Sequence, residues 1–419
     1  MMSDNKSILF FNKNKCYLKL TNKDDIKTFL STHITEYDSG IDLDQASIED
    51  LGRIYANFVK SNVTNFIPNR VDNIVLFLGA GASVVSGNPF YGKTMKDLNK
   101  KCFSAIKNKS YWKNWNVKKL ENILNLPLKD VQDIDLEKLI SYMNLYIKLN
   151  FKEKTSHNSN FYRIKEIRDQ IYETIKVNVS YNYDNTKMNH IAVINDLNDR
   201  LSHESKLNII TTNYDLMVEE AAALDGYTIF DGFTFERNPI FDADMFNWNL
   251  VKSVPNLNTK ENIYRKKVMN LLKIHGSIDW FRGDDQKIHR GMTSNKKPLM
   301  IFPSSNKYMQ SYEDPYFELF TEFQSLLRRS NTLLITSGFS FADNHIAQMI
   351  MDALRNNESL RCLVTDYDIG EIDNKKQYYK EKENDNWKKL REIASNTKAI
   401  AFLKATMNDK ENGLDYYLG

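Results

Sequence analysis

The chain is poor in the residues that make covalent or metal-stapled scaffolds. Only 3 cysteines occur in 419 residues, Cys16, Cys102 and Cys362, and none forms a C-x-x-C pair. Neither a disulfide framework nor a cysteine-rich zinc site is expected, and packed thiols in a reducing compartment are the ordinary reading. Long apolar runs are also missing. The opening ILFF gives way at once to NKNK, well short of the roughly 7 to 15 residues of a secretory h-region. No later run approaches the ~20 apolar residues of a membrane span. A cytoplasmic location is the expectation. Charge of one sign is lacking too: 57 Lys and Arg against 54 Asp and Glu leave a formal net charge of +3, so no global attraction to nucleic acid or an anionic membrane is built in.

What is present is an ordinary globular composition, 42% hydrophobic and 26% charged, with length for one large domain carrying an insertion, or for two domains. Residues 7–20 read as two short strands around a polar turn. A helix is expected over 47–59, where Ile48, Leu51, Ile54, Tyr55 and Phe58 recur at helical spacing. NIVLFL at 73–78 has the continuous apolar character of a strand buried on both faces of a parallel sheet. A helix is expected over 94–105, and from about 99 to 205 the pattern is helical and polar, with Leu136, Leu139, Ile140, Met143 and Tyr146 on one face and Ile164, Ile167, Ile171 and Ile175 on another. An inserted helical layer is expected there. Strands then return at 207–211, 271–274, 332–336, 360–365 and 399–403. Helices at 216–224, 316–328, 345–354 and 386–394 separate several of them. This alternation predicts an α/β fold with a doubly wound, Rossmann-like parallel sheet. The expected organisation is an N-terminal hairpin and helix over 1–70, a catalytic domain over 71–405 with the insertion at about 99–205, and a tail over 406–419.

Glycine is scarce, at 15 residues, yet Gly79, Gly81 and Gly87 sit with Pro89 inside VLFLGAGASVVSGNPF, residues 75–90. A buried strand that ends in Gly-x-Gly and runs into a helix lets bare backbone amides approach a pyrophosphate, aided by the helix dipole. A tight strand-to-helix turn with no ligand is the alternative. Two departures from a dehydrogenase fingerprint disfavour hydride transfer: position 84 is Val where a third Gly belongs, and the downstream acid Asp97 falls within a helical pattern.

Four stretches recur in order at the C-terminal ends of expected strands: Gly79-Ala80-Gly81-Ala82-Ser83, Thr211-Thr212-Asn213-Tyr214-Asp215, His275-Gly276-Ser277, and Ser337-Gly338-Phe339-Ser340-Phe341-x-Asp343-x-His345. Together they resemble the sirtuin-like superfamily over about residues 71–405, the helical insertion unmatched. The resemblance is closest to bacterial members acting in antiphage defence of the abortive-infection kind, and among these to the free-standing subunit that partners a HerA-type hexameric ATPase. It implies NAD as substrate, no metal, and cleavage of the nicotinamide–ribose bond through a transition state with positive charge on the ribose, as in glycoside hydrolysis.

By the same resemblance Gly79, Ala80, Gly81, Ala82, Ser83, Pro89 and Thr212 line the cofactor site, and Gly338 and Ser340 supply a second phosphate and ribose contact. Asn213 would hold the ribose hydroxyls and place the attacking water. Asp215 would reach the nicotinamide carboxamide, or else only cap the helix that follows. His275 would act as base, an unperturbed imidazole titrating near 6.5. Asp343 would cap the helix opening at His345, and His345 either lines the pocket or makes a structural hydrogen bond.

The chain departs from protein deacylases of this group in having no cysteine between 102 and 362, hence no zinc-binding Cys pairs, and in reading Asn88-Pro89-Phe90-Tyr91-Gly92 where they read Ile-Pro-Asp-Phe-Arg. Water is then the expected nucleophile, and the reaction that of an NAD glycohydrolase. Deacylation or ADP-ribosyl transfer, and a non-catalytic scaffold that binds NAD or ADP-ribose, are the other readings. Direct nucleic-acid binding rests on KNKSYWKNWNVKK at 107–119, whose lysines interleave with Tyr111, Trp112 and Trp115. The first 70 residues and the helical insertion carry no compact His/Asp/Glu ligand cluster and are expected to serve homo-oligomerisation and docking of the ATPase.

Overall fold

A computed structural model describes residues 6–33, 42–68, 70–110, 112, 116–126, 136–150, 160–253, 262–291, 297–300, 314–373, 377–381, 383–410 and 413–419. The chain opens with strands β1 (Lys6–Asn12) and β2 (Lys15–Leu18), helices α1 (Lys23–Thr32) and α2 (Ile48–Phe66), and strand β3 (Asn73–Leu78). Five helices follow: α3 (Met95–Lys107), α4 (Val117–Leu124), α5 (Leu136–Leu149), α6 (Asn160–Val179) and α7 (His190–Asn198). Next come β4 (Leu207–Thr211), α8 (Met217–Leu224), β5 (Thr228–Phe230), β6 (Val251–Ser253), β7 (Asn262–Tyr264), β8 (Val268–Lys273), β9 (Gly276–Ser277), β10 (Trp280–Arg282), β11 (Ile288–Arg290) and β12 (Leu299–Met300). The remainder is α9 (Tyr316–Arg328), β13 (Thr332–Ser337), α10 (Asn344–Asn356), β14 (Arg361–Asp366), β15 (Glu371–Ile372), β16 (Tyr378–Tyr379), α11 (Asp385–Asn396), β17 (Ile400–Lys404) and α12 (Leu414–Leu418).

Contacts divide the chain into two compact units. One comprises Met1–Phe77, Asn189–Asn208 and Gln324–Gly419, the other Leu78–Met188 and Ile209–Phe323.

In the first unit the strand order is β16-β15-β1-β17-β14-β13-β3, with β2 hairpinned onto β1. β13 runs parallel to β14 and β14 parallel to β17, joined through α10 and α11, which is the α/β alternation expected from sequence. The long strands read as apolar runs because both faces are covered: β3 and β13 are buried at every position. β1 continues the sheet in the opposite sense, antiparallel to both β17 and β15. Under it Tyr17, Phe29, Tyr55 and Phe58 form an aromatic cluster with edge-on contacts at 5.0–5.8 Å.

In the second unit β4, β8 and β5 are neighbours in that order, and β5 runs parallel to β8. The helical layer is α3 to α6, with α6 packed against α3 and α5. Its stripe Ile164, Ile167, Ile171 and Ile175 is fully buried, as are Leu139, Ile140 and Met143 of α5. α7, inside the expected span of the insertion, belongs to the first unit. Strand spans match expectation at 73–78 and 207–211, whereas the short strands β5 to β7 and β9 to β12 were not legible. With two or three residues each, they are too short to show a period.

One polar knot stands out among the apolar strands of the first unit. Asn73 donates to the Leu326 carbonyl (2.9 Å) and the Thr332 hydroxyl (3.0 Å), and accepts from the Asn208 amide (3.0 Å). Asn73→Leu removes all three and is expected to lower stability by about 1–3 kcal/mol, read as a lower urea midpoint with an unchanged slope.

Candidate functional site

The glycine stretch folds differently from a dinucleotide fingerprint. After β3 the chain passes through Gly79 into a four-residue 3-10 turn, Ala80–Ser83, and Val84 is already extended. The first α-helix after it, α3, starts only at Met95, with Asp97 in a capping box with Thr94. The helix thus begins where the sequence places it, near 94, and not directly out of Gly-x-Gly as in a dinucleotide fingerprint. Two β-branched valines followed by Ser-Gly-Asn-Pro favour extended and turn conformations over helix, and Val85 bridges to Asn88 around Gly87 at φ +72°. A 3-10 turn still leaves its leading amides, those of Ala80 and Gly81, without acceptors inside the turn. Gly79 is buried and Ala80 exposed. Pro89 is exposed. Gly92 closes the segment at φ +57°, and a Cβ there would stand 2.4 Å from the Val84 backbone, so only glycine fits.

β4 delivers the second motif beside this turn. The Thr211 hydroxyl donates to the Leu78 carbonyl (3.0 Å), as does the Thr212 amide (3.1 Å), and the Thr211 hydroxyl accepts the Asn213 amide (3.0 Å). The Asn213 side-chain NH2 donates to the Gly79 carbonyl (3.0 Å) and the Ser83 hydroxyl (3.1 Å). A carbonyl accepts only, so the amide orientation is fixed by chemistry. With both N–H donors committed, Asn213 has only its carbonyl oxygen to offer.

The network continues through Ser83. Its hydroxyl donates to Oδ2 of Asp215 at 2.7 Å, and the phenol of Tyr181 donates to the same oxygen at 2.9 Å. Oδ1 of Asp215 accepts the Met217 amide at 3.3 Å. The carboxylate is thus both a helix-start acceptor and the hub of a buried network. Tyr181 belongs to the helical layer, two residues past α6, a region from which no chemistry was expected. No sequence signal marks it among 22 tyrosines.

A second missed residue is Lys273, only 1% exposed. Its ammonium is bonded to the Asp215 carbonyl, and to the Glu219 carboxylate at 2.8 Å. A lysine closing the apolar strand VMNLLK was the available signal, because such a residue is almost never buried unless paired. Burial disfavours its charge, but Glu219, Asp279 and Asp215 together hold its pKa above the ordinary 10.5. Burial pushes Glu219 up to about 7, against the pull of Lys273. Nearby in the chain, buried Asp231 pairs with Arg290, and burial raises its pKa against that guanidinium.

His275 follows β8 directly and is 6% exposed. The Ile274 amide donates to the Thr211 carbonyl at 3.0 Å, a parallel register that sets Ile274 against Thr212 and brings His275 level with Asn213 at the ends of neighbouring strands. Gly276 has φ +84°, and a Cβ there would meet the Leu299 carbonyl at 2.1 Å. Ser277 of the same motif and Asp279 two residues past it each keep a buried oxygen, Oγ and Oδ1, without a partner among the described residues. Such atoms mark places that a ligand or ordered water would satisfy. Asn213, Asp215, His275, Thr212 and the Gly79–Ser83 turn all lie in the second unit.

Gly338 and Ser340 belong to the first unit. Gly338 takes φ +64° past the end of β13. Ser340 borders a cavity of about 530 Å³ whose walls include Asp366, Asp368, Lys380, Asn384 and Trp387. Asp343 does cap α10, accepting the amides of His345 (3.0 Å) and Ile346 (3.3 Å). Tyr111 and Trp115 of the lysine-rich stretch lie outside the described residues. Among the described residues no group of three or more His, Cys, Asp or Glu could hold a metal ion, and no helix is long and apolar enough to cross a membrane. Burial pushes the Cys102 thiol up to about 12 and that of Cys362 higher still.

Residues 207–400 match the model of the SIR2-like domain. No curated protein sequence matches the chain. A solved structure described as the structural basis for the mechanism and regulation of Sir2 enzymes is similar at 10% identity and TM-score 0.33, over 73% of this chain and 84% of that one. A likeness that slight bears no weight for fold or activity.

A group whose folded pKa is raised stabilises fully below its unfolded pKa and loses that contribution as pH rises through the folded value. For Glu219 the window runs from its ordinary 4.5 to about 7. Stability should therefore decline across that window, and Glu219→Gln should flatten the decline in thermal midpoints measured from pH 4.5 to 8.

Proposed function

We propose that the chain hydrolyses NAD at the nicotinamide–ribose bond, releasing nicotinamide and ADP-ribose. The observation that carries this reading is the Asn213 amide, whose donors are both held by Gly79 and Ser83. It can only accept, which suits the O–H groups of a ribose and of an attacking water. The match of residues 207–400 to the SIR2-like domain supports the same reading.

In this mechanism the bare amides of Ala80 and Gly81 face the anionic diphosphate. As the N-glycosidic bond breaks, its electron pair passes to the pyridinium nitrogen, and nicotinamide leaves neutral. Positive charge gathers on the ribose ring, and water held by the Asn213 oxygen attacks the anomeric carbon. His275 accepts the water's proton as the C–O bond forms. Water is the acceptor because the chain has no cysteine between 102 and 362 for the zinc module that walls a peptide cleft in deacylases. Antiphage defence by NAD depletion, a homo-oligomer and a HerA-type ATPase partner belong to the same proposal and rest on the motif resemblance.

The test is nicotinamide release from NAD by the purified chain, with and without the ATPase and with no acyl-lysine acceptor. Asn213→Ala and His275→Ala should each cut kcat by about 10²-fold or more, the scale of general-base and positioning effects. NAD binding without release under either condition would sink the hydrolase and leave a binding scaffold.

A further inference from the structure

We propose that Tyr181 is a positioning residue that acts through Asp215, making the helical layer a working part of the site; the inference rests on the hydrolase reading. Asn213 donates to Ser83, Ser83 donates to Asp215, and Tyr181 donates to the same carboxylate oxygen. The chain of bonds ends on the phenol. Removing the last donor leaves Oδ2 held by Ser83 alone, and any drift of the carboxylate is passed back through Ser83 to the amide that places the water. Linked bonds of this kind reinforce one another.

The phenol is itself well anchored. Tyr181 is 6% exposed, and it follows a helix whose stripe of four isoleucines is fully buried. Its ring meets Tyr91 edge-on at 5.5 Å and Phe90 at 6.2 Å. Burial, then the Asp215 charge and the bond to it, raise the phenol's pKa against the opposing hydrogen bonds of Ser83 and the Gly92 backbone. The group keeps its proton and remains a donor. Beyond Asp215 the hydroxyl meets only Ser83 and the Gly92 backbone, both of the same glycine segment, and phenylalanine would keep the aromatic contacts.

Tyr183 provides the control. It is buried two residues on and donates its hydroxyl to the Met188 carbonyl at 2.9 Å, away from the Asp215 network. Wild type, Tyr181→Phe and Tyr183→Phe should be compared in nicotinamide release, thermal midpoint and amide exchange over residues 211–217. Tyr181→Phe should lower kcat by about 10-fold or more while KM stays within about 3-fold, as misplacement of a reacting group does. It should also speed exchange in 211–217, and Tyr183→Phe should do neither. Unchanged kcat and exchange in Tyr181→Phe would overturn the inference and leave the hydrolase standing. Equal losses in both variants alongside equal drops in thermal midpoint would mark a purely structural tyrosine and also overturn it. If wild type releases no nicotinamide the hydrolase reading fails, and exchange alone decides: faster only in Tyr181→Phe keeps the tie to Asp215, no difference removes it.

Discussion

The Asn213 side of the candidate site hangs on how Asp215 is gripped. Its side chain takes two hydroxyls on one oxygen and a backbone amide on the other, while its carbonyl takes a buried ammonium. A carboxylate buried to 8% exposure needs such company, since an unpaired one would cost several kcal/mol. The requirement has a geometric result. Partners come from the glycine turn and the end of the helical layer on the side chain and from β8 on the carbonyl, so one residue fixes three separate segments of the unit against β4.

That grip explains why a short 3-10 turn can stand where a long helix opens in ordinary dinucleotide sites. Without a helix macrodipole, the turn's shape must be imposed from outside. Asn213 does this by bonding both ends of it, Gly79 and Ser83. Order in the turn and orientation of Asn213 are therefore the same fact. The buried Lys273–Glu219 pair gives the far side of Asp215 a comparable rigidity. Its charges act at short range in a poorly solvated pocket, where they are screened less than at the surface.

The sequence made the long strands legible because burial on both faces leaves no polar position to confuse the pattern: NIVLFL and LNIIT were bounded to the residue. α9 was equally clear from its apolar spacing between Tyr316 and Arg328. The residues of the glycine, Asn213 and His275 motifs were visible because small or polar residues at the ends of apolar strands are conspicuous. The turn's true conformation was not, since valine preferences outweighed the Gly-x-Gly pattern. Tyr181 was invisible for a different reason: its role comes from a contact across 34 residues of chain, and no local pattern encodes that. Lys273 sits between these cases, readable as an anomaly in a strand but not as a partner of Glu219.

The path of the chain through the first unit has a consequence for biosynthesis. β1 is made before every other strand of its sheet, yet its partners there besides β2, β15 and β17, lie far downstream. Until β15 and then β17 emerge, β1 has only its hairpin mate β2, and an isolated two-stranded hairpin is marginal in water. The unit with the Asn213 and His275 motifs ends in sequence at Phe323. Vectorial synthesis thus completes the chain of the second unit while the larger sheet still waits for its central strands, and a chaperone binding the nascent chain would meet the open edge of β1.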